Sequence, residues 1–85
     1  MQIHLKFFAS LREAVGTGSE TVTLPADVKT AGQVRDFLRA RGGVWAEVLA
    51  EGKALRIALN QQMTDAAATV SEGCELAFFP PVTGG

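Results

Sequence analysis

One cysteine in 85 residues, Cys74, cannot close an intramolecular disulfide, which suits a reducing compartment. One histidine, His4, joined to that cysteine falls short of the three or four convergent ligands of a metal centre, so no metal site is expected. Charge of one sign is also missing: eight Lys and Arg stand against nine Asp and Glu, for a formal net charge of −1. That balance lacks the basic footprint of a nucleic-acid or membrane-surface binder, and neither partner is expected. No run approaches the roughly eighteen apolar residues that span a bilayer. Residues 1–8 alternate, where a secretory leader would be basic and then continuously apolar. A cytoplasmic protein is the expectation. The phosphate-cradling G-x-x-x-x-G-K-[ST] loop and a serine nucleophile elbow are missing too. Gly16-Thr17-Gly18 has no third glycine and no βαβ context, so it reads as a turn. Internal repeats and low-complexity tracts are absent.

The length itself excludes more. A chain just above the roughly 70 to 80 residues at which a core alone becomes marginal is one domain. It buries roughly 60 to 65% of its unfolded surface, enough for a small core but not for a deep pocket. The chain is therefore not expected to be an enzyme on its own.

What is present is patterning. Residues 2–7 alternate strictly, with Ile3, Leu5 and Phe7 on one face and Gln2, His4 and Lys6 on the other, as in a half-buried strand. Phe8 then falls on the polar face. Either it stays exposed there or the strand ends at Phe7 and Phe8 turns into the core. Ser10 to Glu13 has the S-x-x-E form of a capping box, with Gly16 as a stop, and predicts a short helix. Residues 20–24 alternate again and Pro25 ends them, so strands one and two form a hairpin around that helix. Thr30 to Gln33 is a second capping-box pattern, and Val34, Phe37 and Leu38 follow on one face of the principal helix. Arg35, Asp36, Arg39 and Arg41 decorate its other side, and Gly42-Gly43 closes it. Trp45, Val48 and Leu49 share one side of a short helical segment, with Trp45 as a lid on the core. Residues 54–60 read as a strand with Leu55, Ile57 and Leu59 inward and Arg56 outward. A turn at Asn60-Gln61 leads to Met63, and residues 65–71 are a loop or a short edge strand. After a turn at Glu72-Gly73, residues 74–79 form the last strand, Leu76 and Phe78 on one face, Glu75, Ala77 and Phe79 on the other. The predicted order is β-β-α-β-β-β, a mixed sheet covered on its apolar face by one main helix.

Two aromatics, Phe8 and Phe79, thus stand on an otherwise polar sheet face, with Lys6 and Arg56 as a basic margin, the make-up of a docking surface. His4 is expected on the solvated face, and Cys74 as a half-buried structural thiol. Beside Phe79 the chain continues into Pro80-Pro81, which fix φ and donate no backbone hydrogen bonds, a stiff extended strut. Gly84 and Gly85 follow. Without side chains, they let the terminal carboxylate slide into a narrow passage.

The segments Phe78-Phe79-Pro80-Pro81-Val82-Thr83-Gly84-Gly85, Phe7-Phe8-Ala9-Ser10-Leu11-Arg12-Glu13-Ala14-Val15-Gly16 and Leu59-Asn60-Gln61 together resemble the small, sulfur-carrying subunit of molybdopterin synthase, the MoaD family. The resemblance spans the whole chain, with Cys74 departing from it where a polar residue is usual. It implies an α+β, ubiquitin-like β-grasp fold: a mixed sheet of four to five strands with one main helix packed on one face, residues 1–79, followed by an extended tail, residues 80–85. It also implies that Gly85 is adenylated by an E1-like activating enzyme using ATP and Mg²⁺, and that a sulfur donor displaces AMP to leave a thiocarboxylate. No cofactor is bound by the chain itself. The tail then enters the large synthase subunit and donates sulfur to a pterin precursor in molybdenum cofactor biosynthesis. On this resemblance Gly84 permits close approach, Pro80, Pro81, Val82 and Thr83 form the inserted arm, and Phe8, Arg12, Met63 and Phe79 contact the large subunit within a heterotetramer. Alternatives are a carrier for another pathway such as thiazole synthesis, or a ubiquitin-like protein modifier.

Overall fold

Residues 1–80 are described by the computed structural model of the protein; Pro81, Val82, Thr83, Gly84 and Gly85 lie outside the described residues. Eight elements follow in order: β1 Gln2–Phe7, α1 Ala9–Val15, β2 Ser19–Thr23, α2 Ala31–Arg39, α3 Gly43–Val48, β3 Arg56–Leu59, β4 Gln62–Thr64 and β5 Glu75–Phe79. The strands form one mixed sheet in the order β2-β1-β5-β3-β4. β1 pairs antiparallel with β2 across the connection that holds α1, and parallel with β5. β5 pairs antiparallel with β3 on its other side.

Period two decides the faces. Ile3, Leu5, Phe7, Val22, Ile57, Leu76 and Phe78 point to one side and are buried, together with Ala31, Val34 and Leu38 from α2. Phe7 and Phe78 stack with ring centroids 6.3 Å apart, and Trp45 closes on Phe7 edge-on at 5.4 Å. Trp45 is partly buried against this core, as a lid would be. Cys74 is buried within it and carries no disulfide. Alternation from Leu76 and Phe78 places Cys74 on this face, and at 4% exposure it is fully buried where the sequence predicts half-burial. His4 is exposed on the other face, with Nδ1 3.0 Å from Thr21 Oγ1.

The principal helix starts as its sequence predicts. Thr30 Oγ1 accepts from the Gln33 N–H at 3.2 Å, and Gln33 Oε1 accepts from the Thr30 N–H at 3.1 Å, a complete capping box. The same motif at Ser10 forms no cap. There the N-cap is Phe8, extended at φ −123 and without a side-chain cap bond, and Ser10 is already inside α1. The strand conformation runs one residue past the ladder, so the helix starts before Ser10 can serve as its cap. Gly16 stops α1 as expected, at φ 82 with its N–H donating to the Arg12 carbonyl.

Three further differences have local causes. The third strand begins at Arg56 instead of residue 54, because the preceding backbone is engaged elsewhere: Arg35 donates to the carbonyls of Leu49 and Lys53, each at 2.8 Å, and to that of Ala50. Arg35 therefore ties α2 to the end of α3, and its partial burial pulls its pKa below the usual arginine value. The fourth strand is residues 62–64 and not the 65–71 segment. That segment runs past the start of α2, with Ala68 and Ala66 carbonyls accepting from Ala31 and Gly32, and only an isolated bridge joins Thr30 to Thr69. Among the described residues, no helix is long and apolar enough to cross a membrane.

Candidate functional site

The helices cover one face of the sheet and leave the other uncovered. On that open face the register sets Lys6 of β1 opposite Ala77 of β5, Ala77 opposite Ala58 of β3, and Ala58 opposite Met63 of β4. One step along, Arg56 pairs with Phe79. Phe8 joins this face because its backbone is still extended: its N–H donates to the Phe78 carbonyl at 3.3 Å, and alternation turns its side chain away from Phe7. Phe8 is therefore exposed, at 39%, not turned into the core. Its ring lies on that of half-buried Phe79 with centroids 4.7 Å apart and planes 4° from parallel.

Lys6, Phe8, Ala58, Gln61, Met63, Glu75, Ala77 and Phe79 line a hollow of about 310 Å³. Its floor is small and apolar, for Ala58 and Ala77 are each 3% exposed. Its rims are large: the Phe8–Phe79 stack on one side and Met63, 60% exposed, on the other. Lys6 and Arg56 make no ion pair among the described residues, and the lining of the hollow holds one basic side chain, Lys6, and one acidic one, Glu75. Such a surface can seat an apolar partner group within a polar margin. Among the described residues no cluster of His, Cys, Asp and Glu could hold a metal ion.

Of the residues singled out from sequence, the structure brings Phe8, Met63 and Phe79 together and sets half-buried Pro80 directly after the stack. Arg12 is exposed and, although its N–H donates to the Phe8 carbonyl at 3.4 Å, its side chain lines a different, shallow pocket with Ala9, Glu13, Gly16, Thr17 and Gly18. Its side chain lies so close over Gly18 that a Cβ there would sit 3.0 Å from Arg12 Nε. The expectations for Pro81, Val82, Thr83, Gly84 and Gly85 fall outside the described residues. Sequence reasoning passed over Ala58, Gln61 and Glu75 as lining residues. Alternation places Ala58 on the outer face beside Arg56, but only the register shows that it lies beside Ala77.

The profile of the ThiS family matches residues 5–85. The chain belongs to the ThiS family. Among curated relatives, this ThiS-family chain is 42% identical over 83 residues to the molybdopterin synthase sulfur carrier subunit of Haemophilus influenzae, covering 98% of this chain and 99% of that protein. Identity to the subunit of the same name from Escherichia coli is also 42%, with the same coverage. Among solved structures, small archaeal modifier protein 1 of Haloferax volcanii is 27% identical and superposes with a TM-score of 0.77, covering 95% of this chain and 98% of that one. These likenesses establish the β-grasp fold of the ThiS-family chain, with its five-stranded sheet and covering helices.

Proposed function

We propose that this protein is the sulfur carrier of molybdopterin synthase, acting in the cytoplasm as the small subunit beside a large catalytic one, with residues 1–79 as the folded domain and residues 80–85 as the delivering arm. One observation carries the reading: the apolar stack of Phe8 on Phe79 stands at the point where β5 hands the chain to Pro80 and its Gly-Gly end. Docking through this face and delivery of the chain end are then a single event. The 42% identity to subunits bearing that name supports it.

The chemistry follows from the carboxylate of Gly85. With a pKa of about 3.3 to 3.7 it is ionised at neutral pH and is a poor electrophile. An E1-like enzyme using ATP and Mg²⁺ activates it: a carboxylate oxygen attacks the α-phosphorus, pyrophosphate leaves, and an acyl-adenylate forms. Sulfide delivered by a donor attacks the carbonyl carbon and expels AMP, leaving the thiocarboxylate. In the large subunit the thiocarboxylate sulfur attacks a pterin side-chain carbon and displaces the oxygen leaving group that carbon carries, and water then cleaves the acyl–sulfur bond, leaving the sulfur on the pterin and restoring the carboxylate. Two sulfurs require two carrier cycles. Phe8, Arg12, Met63 and Phe79 hold the large subunit, Pro80, Pro81, Val82 and Thr83 form the inserted arm, and Gly84 lets the end approach closely.

Incubation with the activating enzyme, ATP, Mg²⁺ and a sulfur donor is expected to raise the intact mass by the difference between sulfur and oxygen, located at Gly85. An unchanged mass in a system that loads a known carrier sinks the proposal. A second reading, a protein modifier, draws on the 27% identity to small archaeal modifier protein 1. Purification under denaturing conditions separates the two, since adducts on many proteins would favour the modifier.

A further inference from the structure

The turn between β3 and β4 spans two residues. Asn60 at φ 50 and Gln61 at φ 69 both lie in the left-handed region, and Leu59 pairs with Gln62 across them, the geometry of a type I′ hairpin. Asparagine suits the first of these positions because it tolerates that region. The hairpin has little else to hold it. In the order β2-β1-β5-β3-β4, β4 stands at the edge of the sheet with β3 as its neighbour, and all three of its residues are exposed. Yet β4 carries Met63, one rim of the hollow on the open face, while β5 carries Phe79 of the other rim.

The ladder between β3 and β5 ends at an unusual step. In an antiparallel ladder every second pair exchanges two backbone bonds, each residue's N–H donating to the other's carbonyl. Continuing the register past Leu59 and Leu76 sets Asn60 opposite Glu75. There the Asn60 N–H donates to the Glu75 carbonyl at 2.8 Å, as such a pair requires. The return bond is different, for the Glu75 N–H donates to Asn60 Oδ1 at 2.9 Å. With Asn60 already in the turn, its side-chain oxygen takes the place that its carbonyl would hold in a strand. The chain thus leaves β3 for β4 at residue 60 while its grip on β5 stays complete. Gln61 and Glu75, on either side of this bond, both line the hollow.

We propose that Asn60 is a positioning residue for docking, whose carboxamide oxygen pins the tip of the β3–β4 hairpin to β5 and so sets the Gln61 and Met63 rim of the hollow against the Phe8 and Phe79 rim. It acts through the backbone of half-buried Glu75. Glycine at residue 60 would accept the same turn but leave the Glu75 N–H without its acceptor. A hairpin tip freed in that way has to be ordered again when a partner closes on the rim, and that ordering is subtracted from the binding free energy. The inference rests on the reading that this face docks the large synthase subunit.

The test pairs amide hydrogen exchange at Glu75 with calorimetric titration of the large subunit, using the full chain. Asn60→Gly keeps the turn and removes the acceptor. Its Glu75 amide is expected to exchange about tenfold faster or more, and the large subunit to bind about three- to tenfold more weakly. Asn60→Asp keeps an acceptor oxygen and tolerates the turn. At a salt concentration that screens its added charge it should retain both the protection and an affinity within about twofold of the parent. Thr30→Ala also deletes one side-chain acceptor, but at the start of α2 on the covered face of the sheet, and is expected to leave binding unchanged. That control separates a general loss of stability from a misplaced rim. The proposal is overturned by an Asn60→Gly chain that binds like the parent or keeps its Glu75 amide protected, by an Asn60→Asp chain that binds as weakly as Asn60→Gly, or by an equal loss of binding in Thr30→Ala. Should Phe79→Ala bind weakly while Asn60→Gly binds normally, only this inference falls. Should the unaltered chain not bind the large subunit at all, the docking reading falls and takes this one with it.

Discussion

Phe8 and Phe79 are visible in the sequence because they break a rule: on a face whose other members are polar or small, period two gives no core for an aromatic to fill. The structure explains the breach, stacking one ring on the other beside an alanine floor. Phe79→Ala should therefore separate two roles. Binding to the large subunit is expected to weaken by about 2 kcal/mol or more, as at a hot spot. Folding stability should fall only by about 1 kcal/mol, the worth of an aromatic pair. Calorimetric titration and urea unfolding measure the two, and a folding loss of about 3 to 5 kcal/mol would mark Phe79 as core instead. Other residues were less legible. Arg35 looks like helix decoration in a one-dimensional pattern, since nothing local announces that its guanidinium reaches carbonyls fourteen to eighteen residues away. Arg12 entered through resemblance to a family, and that it lines a different pocket from Phe8 shows only in three dimensions.

Elements were legible where periodicity is long or caps are complete. β1, β2, β5 and α2 follow from alternation or from a helical stripe, and all four lie close to where the pattern puts them. Two matching S/T-x-x-E/Q motifs nevertheless had different fates. A cap needs extended backbone immediately before the first turn, which Thr30 has and Ser10, already the second residue of α1, lacks. Thr30→Ala is accordingly expected to cost about 1 kcal/mol in urea unfolding. Ser10→Ala should lie within about 0.5 kcal/mol of the parent. Equal losses from both would contradict the observed geometry. The short β4 escaped because three exposed residues carry no periodic signal, and the start of β3 escaped because a distant arginine holds the chain before it.

At the scale of the whole molecule, the fold class follows from the succession of strands and one main helix, but the strand order does not, because alternation records faces and not neighbours. A link between the sheet edge and the helical layer was equally hidden. Arg41, beyond α2, donates to both Glu20 carboxylate oxygens on β2 and lies 4.6 Å over the Trp45 ring. The hydrogen bonds from Arg41 hold the Glu20 carboxyl below its ordinary pKa of 4.5. A lowered folded-state pKa adds stability above the unfolded value that is lost as pH falls through the folded one. Acidification below about pH 4.5 should therefore erode this contribution, at most about 1 kcal/mol for so exposed a pair. Melting curves of the parent and Glu20→Gln are expected to converge as the pH drops from 6 to 3, and a constant gap would refute the link. The place of β5 between β1 and β3 has a mechanical consequence. Tension on the chain beyond Phe79 is directed along a central strand and loads two hydrogen-bonded ladders in shear at once, where an edge strand would be peeled one bond at a time. The protein can be pulled by its end without unzipping its sheet.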